Sequence, residues 1–190
     1  MQKIISEHFQ GHAQVLELVS KTLADKIAEC ANLISDVLQR GNKILVMGNG
    51  GSAADAQHFA AELVGRFLLE RKALPAIALT TDSSILTAVG NDYGFNEIFS
   101  RQVEALAAPG DLVLGISTSG NSENVCRALQ VAADTGCKTL GLLGRDGGKI
   151  AGVVDLDLTV PAQQTPFIQE AHVTIIHLLC GLVEQQLFAN

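Results

Sequence analysis

The sequence predicts an α/β fold, a three-layer sandwich around a five-stranded parallel sheet, with N-terminal helices placed to form oligomer contacts. Three observations predict it. Five short, mostly β-rich runs, KILVM (43–47), AIAL (76–79), LVLGI (112–116), TLGLL (139–143) and DLDLTV (155–160), alternate with helical segments. That alternation implies a parallel sheet covered on both faces. Every run but the last opens into a polar or glycine-rich turn: GNGGSA, TTDSS, STSGNS and GRDGG. Finally, apolar residues make up 47% of the 190-residue chain and charged residues only 17%, which gives a compact globule rather than a disordered one.

The elements follow in order. Residues from about 3 to 39 read as helix, because Leu23, Ile27, Cys30, Ile34 and Leu38 recur at helical spacing and Gly41 ends the run. An earlier apolar stripe, Ile5, Phe9, Leu16 and Val19, marks a separate helix bent near Lys21 and Thr22. So long a leading element predicts packing against a second subunit. The strands and their helices come next. The last segment, from about Pro166 to Leu187, is a helix apolar on nearly every side and therefore buried, in the domain or between subunits. No linker or repeat interrupts the chain, so residues 1–190 read as one domain: a helical segment over 1–40 and an α/β core over 41–190.

Bulk properties exclude several functions. A net charge of −7 opposes general affinity for nucleic acid or an anionic membrane, since both require a basic surface. It leaves a phosphate ligand possible, because N–H groups at a helix start hold phosphate in an acidic protein. The first residues, MQKIISEHFQ, lack a signal-peptide core, and no stretch reaches the roughly 18 uninterrupted apolar residues of a membrane span. Cys30, Cys126, Cys137 and Cys180 are scattered with no CxxC pair and read as buried thiols. These features together predict a cytoplasmic protein.

Ligands of such sheets bind at the carboxyl ends of the strands. The turn Gly48-Asn49-Gly50-Gly51-Ser52-Ala53 loosely fits a dinucleotide fingerprint, with Ala53 in place of the third glycine. The acidic residue that a nucleotide wants at the end of the next strand is missing, since Asp82 lies about ten residues too far along. A structural tight turn and a polar sugar-phosphate ligand remain, and the second is the better fit. Ser117-Thr118-Ser119-Gly120-Asn121-Ser122 carries four hydroxyls in six residues before a helix starting near Glu123. Capping that helix needs one hydroxyl; four make a phosphate cradle that needs no lysine. Asn91-Asp92, after an apolar run, reads as a turn.

His58 and Glu62 lie four apart on one helix face. Such a pair can bind a metal, serve as acid and base, or form a plain surface ion pair. The apolar neighbours Phe59, Ala60, Ala61 and Leu63 suggest a mostly buried helix and favour a functional role. Gln169, Glu170, His172 and His177 interrupt the apolar last helix, and each needs a partner or a use. His8 and His12, on the leading helix, read as ordinary surface residues.

At these residues the chain resembles the bacterial phosphoheptose isomerases, members of the sugar isomerase (SIS) fold, which is flavodoxin-like. The matching stretches are GNGGSAADAQHFAAEL, VGNDYGFNEIFSRQVEAL, GDLVLGISTSGNSENV and IQEAHVTIIHLLCGLVE, spread over nearly the whole length. The resemblance implies an aldose–ketose isomerase that converts sedoheptulose 7-phosphate to D-glycero-D-manno-heptose 7-phosphate, at the start of ADP-heptose synthesis for the lipopolysaccharide core. It implies a homotetramer with active sites between subunits. Asn49, Gly50, Gly51, Asn91 and Asp92 are implied to touch substrate, and Ser117, Thr118, Ser119 and Ser122 to hold its phosphate. His58, Glu62, Gln169 and His177 match the family's ligands for one Zn2+ per subunit. Glu62 and His177 also match its base and acid, and Gln169 is implied to touch substrate.

Gln169 and His177 raise a geometric problem. Eight residues of straight helix span about 12 Å, and the two side chains point about 80° apart. Both reach one metal only through long side chains, a distorted helix or ligands from two chains. A site shared across a subunit interface is the favoured solution. The alternative within this fold is a tetrameric scaffold without catalysis, similar to a replication-initiator-associating protein. Retention of Glu62 together with His58, Gln169 and His177 favours the enzyme over it, and over an isomerase of another sugar phosphate.

Overall fold

A computed structural model describes residues 1–189. The leading helical segment is two helices, α1 (Gln2–Thr22) and α2 (Ala24–Gln39), broken at Leu23. Five strands follow: β1 (Ile44–Gly48), β2 (Ala76–Ala78), β3 (Leu112–Ser117), β4 (Lys138–Gly144) and β5 (Leu156–Val160). Between them lie α3 (Gly51–Val64), α4 (Ser83–Asp92), α5 (Ser100–Leu106) and α6 (Glu123–Asp134), and α7 (Thr165–Phe188) closes the described chain. All five strands pair in parallel in the order β2-β1-β3-β4-β5.

That order has a consequence for binding. The chain leaves β1 toward β2 on one side, then crosses back to β3 on the other. Helices after β1 and β3 therefore diverge, and a crevice opens at the carboxyl ends of these two neighbours. The glycine turn follows β1 and the hydroxyl turn follows β3, so both flank this crevice.

Strand side chains alternate between two apolar layers, as the period of two demands. Ile44, Val46, Leu112 and Leu114 point toward α2, α3 and α7, while Leu45, Met47 and Val113 point toward α5 and α6. The central strands β1 and β3 are buried at every residue, which is why they read as continuous apolar runs.

Two expectations need correction. Asn91 and Asp92 do not form a turn: they end α4, capped at its start by Asp82 Oδ1, which accepts from Ile85 N at 2.9 Å. Asp82 halts the chain just before an apolar run at helical spacing, and that signal outweighs the turn propensity of Asn-Asp. Ala61 is exposed, whereas Phe59, Ala60 and Leu63 are buried, so α3 is amphipathic rather than mostly buried. Within one chain α7 is covered on part of its surface, with Leu178 47% exposed, which leaves burial between subunits as the other half of the expectation. By length and composition α7 is apolar enough to cross a bilayer, yet it packs on α2 and α3 and its buried face carries His172 and Glu184.

Candidate active site

α3 and α7 lie side by side, and their facing polar residues form a compact group. His58 Nε2 is 3.0 Å from Glu62 Oε1, and His177 Nε2 is 3.3 Å from His58 Nε2. One ligand atom from each residue lies within 4.8 Å of the others. The helical i, i+4 spacing brings His58 and Glu62 together; only the packing of α7 on α3 adds a residue 119 positions away.

The donor set suits a metal ion. One hydrogen on His58 Nε2 would have to be divided between a carboxylate oxygen and a second imidazole nitrogen. A cation instead accepts lone pairs from all three atoms. Two nitrogens bound to one tetrahedral zinc at ordinary bond lengths sit about 3.4 Å apart, close to the separation here. The two imidazoles meet edge to face, with centroids 4.9 Å apart and planes at 72°. Phe67 stacks on His177, at 5.4 Å and 16°.

Gln169 stands elsewhere. Its amide lies against Gly51, where a Cβ would overlap Nε2, so any larger residue there would push the Gln169 amide aside. Gly51 precedes His58 by seven residues, roughly 10 Å along α3. Within one chain, then, Gln169 faces the glycine turn and His177 faces the histidine–glutamate group.

The other polar residues of α7 are claimed structurally. Glu170 accepts from His8 at 3.0 Å and faces His12 at 2.7 Å, which staples α1 to α7 and gives the two bland histidines a role. His172 Nε2 donates to Leu143 O at 2.8 Å, and burial pushes its pKa down to about 4.

At the crevice the two turns are tied together. Asn49 and Asn124 exchange amide hydrogen bonds of 2.9 and 3.0 Å, which leaves Asn49 one N–H and one lone pair for a ligand. Asn124 is buried and went unnoticed in the sequence, where nothing marks it apart from its place after the hydroxyl run. Ser117 and Ser122 share a 2.9 Å hydrogen bond, so one hydroxyl hydrogen of the two stays available. Ser119 Oγ accepts from Asn121 N at 3.1 Å, leaving its own hydrogen to donate. Gly120 has φ 65°, and a Cβ there would overlap the carbonyl oxygen of Gly147, so the GRDGG loop buttresses the hydroxyl turn.

Asn91 and Asp92 are exposed and bond to each other at 2.7 Å, on a helix with no buried residue. The chain does not bring them to the histidine–glutamate group. Asp55, one turn before His58, is a further missed residue: its Oδ2 is buried without a partner, and desolvation raises its pKa to about 6.

A parallel sheet with a hydroxyl-rich crevice at its switch point, beside two histidines and a glutamate, defines a small-molecule site of the sugar-phosphate-binding class. Comparison with known proteins agrees. A model of the SIS domain matches residues 7–144. The phosphoheptose isomerase of Geobacter sulfurreducens is 65% identical over 184 residues, covering 97% of each chain. Phosphoheptose isomerase structures from Neisseria gonorrhoeae and Francisella tularensis superpose with TM-scores of 0.93 and 0.94, at 45% and 41% identity, each covering 97% of this chain and 98% of the other. The chain belongs to the phosphoheptose isomerase family of SIS-domain proteins.

Proposed function

We propose that the protein isomerises sedoheptulose 7-phosphate to D-glycero-D-manno-heptose 7-phosphate through an enediol, supplying the first intermediate of ADP-heptose synthesis in the cytoplasm. The observation that carries this is the convergence of Glu62 and His177 with His58, a carboxylate and two imidazoles in one group. Interconverting ketose and aldose moves one proton between adjacent carbons and another between their oxygens. Glu62 takes the carbon proton and returns it to the neighbouring carbon, and His177 serves the oxygens. Glu62 turns Oε1 toward His58, so Oε2 is the atom left for the proton.

His58, Glu62 and His177 would hold zinc, joined by Gln169. When bound, zinc supplies positive charge beside the oxygen that gains electron density in the enediol. His177 offers the same Nε2 to a metal and to a proton. Ligation and proton transfer are alternative states of that one atom, and zinc-loaded and zinc-free protein separate them. Ser117, Thr118, Ser119 and Ser122 hold the phosphate through hydroxyls and the first N–H groups of α6. Asn49, Gly50 and Gly51 line the sugar from the other turn.

We place the complete site between subunits of a homotetramer. Gln169 lies far from His177 along α7, and Asn91 and Asp92 lie exposed at the end of α4, so each needs another chain to join the group. Exposed apolar residues support the assembly: Ile4, Ile5 and Phe9 on α1, and a groove of about 440 Å³ between α1, α2 and α7 lined by Leu16, Val19, Leu178 and Leu182. A second groove of about 610 Å³, with Phe67 and His177 in its wall, reaches the metal-binding group.

The test is to incubate purified protein with sedoheptulose 7-phosphate, with and without added zinc, and to follow the aldose by NMR. Conversion that disappears in Glu62→Gln is the expected result. A folded tetramer that converts nothing under either condition would overturn the isomerase and leave the scaffold or another sugar phosphate. A fully active monomer would overturn the shared site.

A further inference from the structure

The loop joining α3 to β2, residues 65–75, lies over His177, and a buried ion pair shapes it. Arg71 and Glu184 meet at 3.0 Å with side chains only 1% and 2% exposed. Every polar atom of the pair is engaged. Glu184 accepts from the amides of Phe67, Leu68 and Leu69 at 2.9, 2.8 and 2.9 Å, as well as from Arg71 Nε. Arg71 donates to the carbonyls of Glu62, Leu63, Gly65 and Lys72 at 2.7, 2.7, 3.2 and 3.1 Å. Burial alone would raise the Glu184 carboxyl, but three backbone N–H groups and Arg71 hold it below the usual carboxylate range.

This network ends at the site from two directions. Arg71 grips the backbone carbonyl of Glu62 and closes the end of α3. Glu184 fixes the amide of Phe67, whose ring lies nearly parallel to His177 at 5.4 Å. A buried charge pair is a poor way to gain stability, since apolar residues of equal volume do as well. What it does supply is direction: three consecutive amides aimed at one carboxylate leave the loop a single conformation.

We propose that Phe67, held by the Arg71–Glu184 pair, is a positioning residue for the metal-binding group: its ring fixes the plane of the His177 imidazole so that Nε2 faces His58 and Glu62. The proposal rests on the reading of that group as a zinc site. An imidazole ligand free to rotate about its side-chain torsions presents its lone pair only part of the time. Groups that orient a metal ligand typically change metal affinity by about 10- to 100-fold when removed.

Phe67→Leu and Phe67→Tyr test it, with Glu184→Gln beside them. Leu keeps the apolar bulk and loses the flat face; Tyr keeps the ring. Zinc affinity is measured by competition with a chromophoric chelator, kcat and KM with sedoheptulose 7-phosphate, and assembly and thermal midpoint in parallel. Phe67→Leu is expected to weaken zinc at least tenfold and to lower kcat with KM unchanged, while the assembly and melting stay those of the wild type. Phe67→Tyr is expected to restore both zinc affinity and kcat. Glu184→Gln, where it folds, follows Phe67→Leu. Wild-type zinc affinity and kcat in Phe67→Leu would overturn the proposal, and so would equal impairment of the Leu and Tyr variants. A wild-type protein that takes up no zinc would overturn the metal reading instead, and an unimpaired kcat in Phe67→Leu would then overturn this one too.

Discussion

The hydroxyl turn and the histidine–glutamate group differ in how far along the chain their parts come from. Ser117, Thr118, Ser119 and Ser122 lie within six residues, and the turn that presents them is closed by its own neighbours: Ser122 on Ser117, Asn121 on Ser119. His58 and Glu62 share a helix, but His177 arrives from 119 residues away and is steadied by Phe67 from a third segment. A local site keeps its shape as long as its strand and helix stand. A composite one depends on the packing of every element that contributes. The difference teaches that the histidine–glutamate group is the more sensitive of the two to distant changes, whereas the hydroxyl turn leans on one further segment, the GRDGG loop.

The largest effect tests chemistry without touching packing. Glu62→Gln keeps the shape of the side chain and should lower turnover by about two to four orders of magnitude, the range for losing a general base. Its thermal midpoint should stay close to the wild type; unchanged turnover would remove Glu62 from the mechanism. The next tests the packing on which the histidine–glutamate group depends. Glu184→Ala strands Arg71 without a partner in the interior and should cost about 3–5 kcal/mol. The thermal midpoint should fall on the order of 10 °C for a chain of this length. A loss under 1 kcal/mol in denaturant titration would mean that the loop finds another arrangement.

His172 and His177 sharpen the contrast within α7. His172 carries its hydrogen on Nε2 toward Leu143 O, so charging it means protonating Nδ1, which is buried without a partner. Its folded pKa, about 4, lies below the unfolded value of 6.5, so the neutral form is the one the fold favours. The resulting stability is present above pH 6.5 and is lost as pH falls toward 4. His172→Gln keeps an N–H donor and removes the titration. The wild type should lose on the order of 2 kcal/mol more than this variant between pH 7 and pH 5. Equal losses in denaturant titrations at the two pH values would show that His172 is not held neutral.

The smallest effect belongs to the local site. Ser119→Ala removes one donor of several and should raise KM for sedoheptulose 7-phosphate several-fold, about 1 kcal/mol, with kcat near the wild type. A normal KM with a collapsed kcat would mean that Ser119 acts on the reaction and not on the phosphate.

The sheet and the hydroxyl turn were legible because their signals are short in range. Leu112 to Ile116 are apolar without interruption since both faces of β3 are covered, and the polar residues begin where the strand leaves the core. The break between α1 and α2 also shows in the residues, near Lys21 and Thr22. Asn91 and Asp92 misled because a pair of turn-forming residues can end a helix as well as make a turn. Arg71, Glu184 and Phe67 carried no signal at all. One arginine in a loop and one glutamate near a helix end look like surface charges until the fold places them 3.0 Å apart and out of water.

By itself, then, the sequence determined the parallel sheet, the two turns at its carboxyl edge and the pairing of His58 with Glu62. Each depends on a period of two or 3.6 residues or on a turn only a few residues long. Tertiary structure alone decided which polar residues of α7 serve the fold and which face the site. Glu170 meets His8 and His12, His172 meets a strand carbonyl and Glu184 meets Arg71, leaving His177 with His58. The reason is that an apolar helix buries its polar residues wherever partners happen to be, and those partners lie on elements remote in the chain.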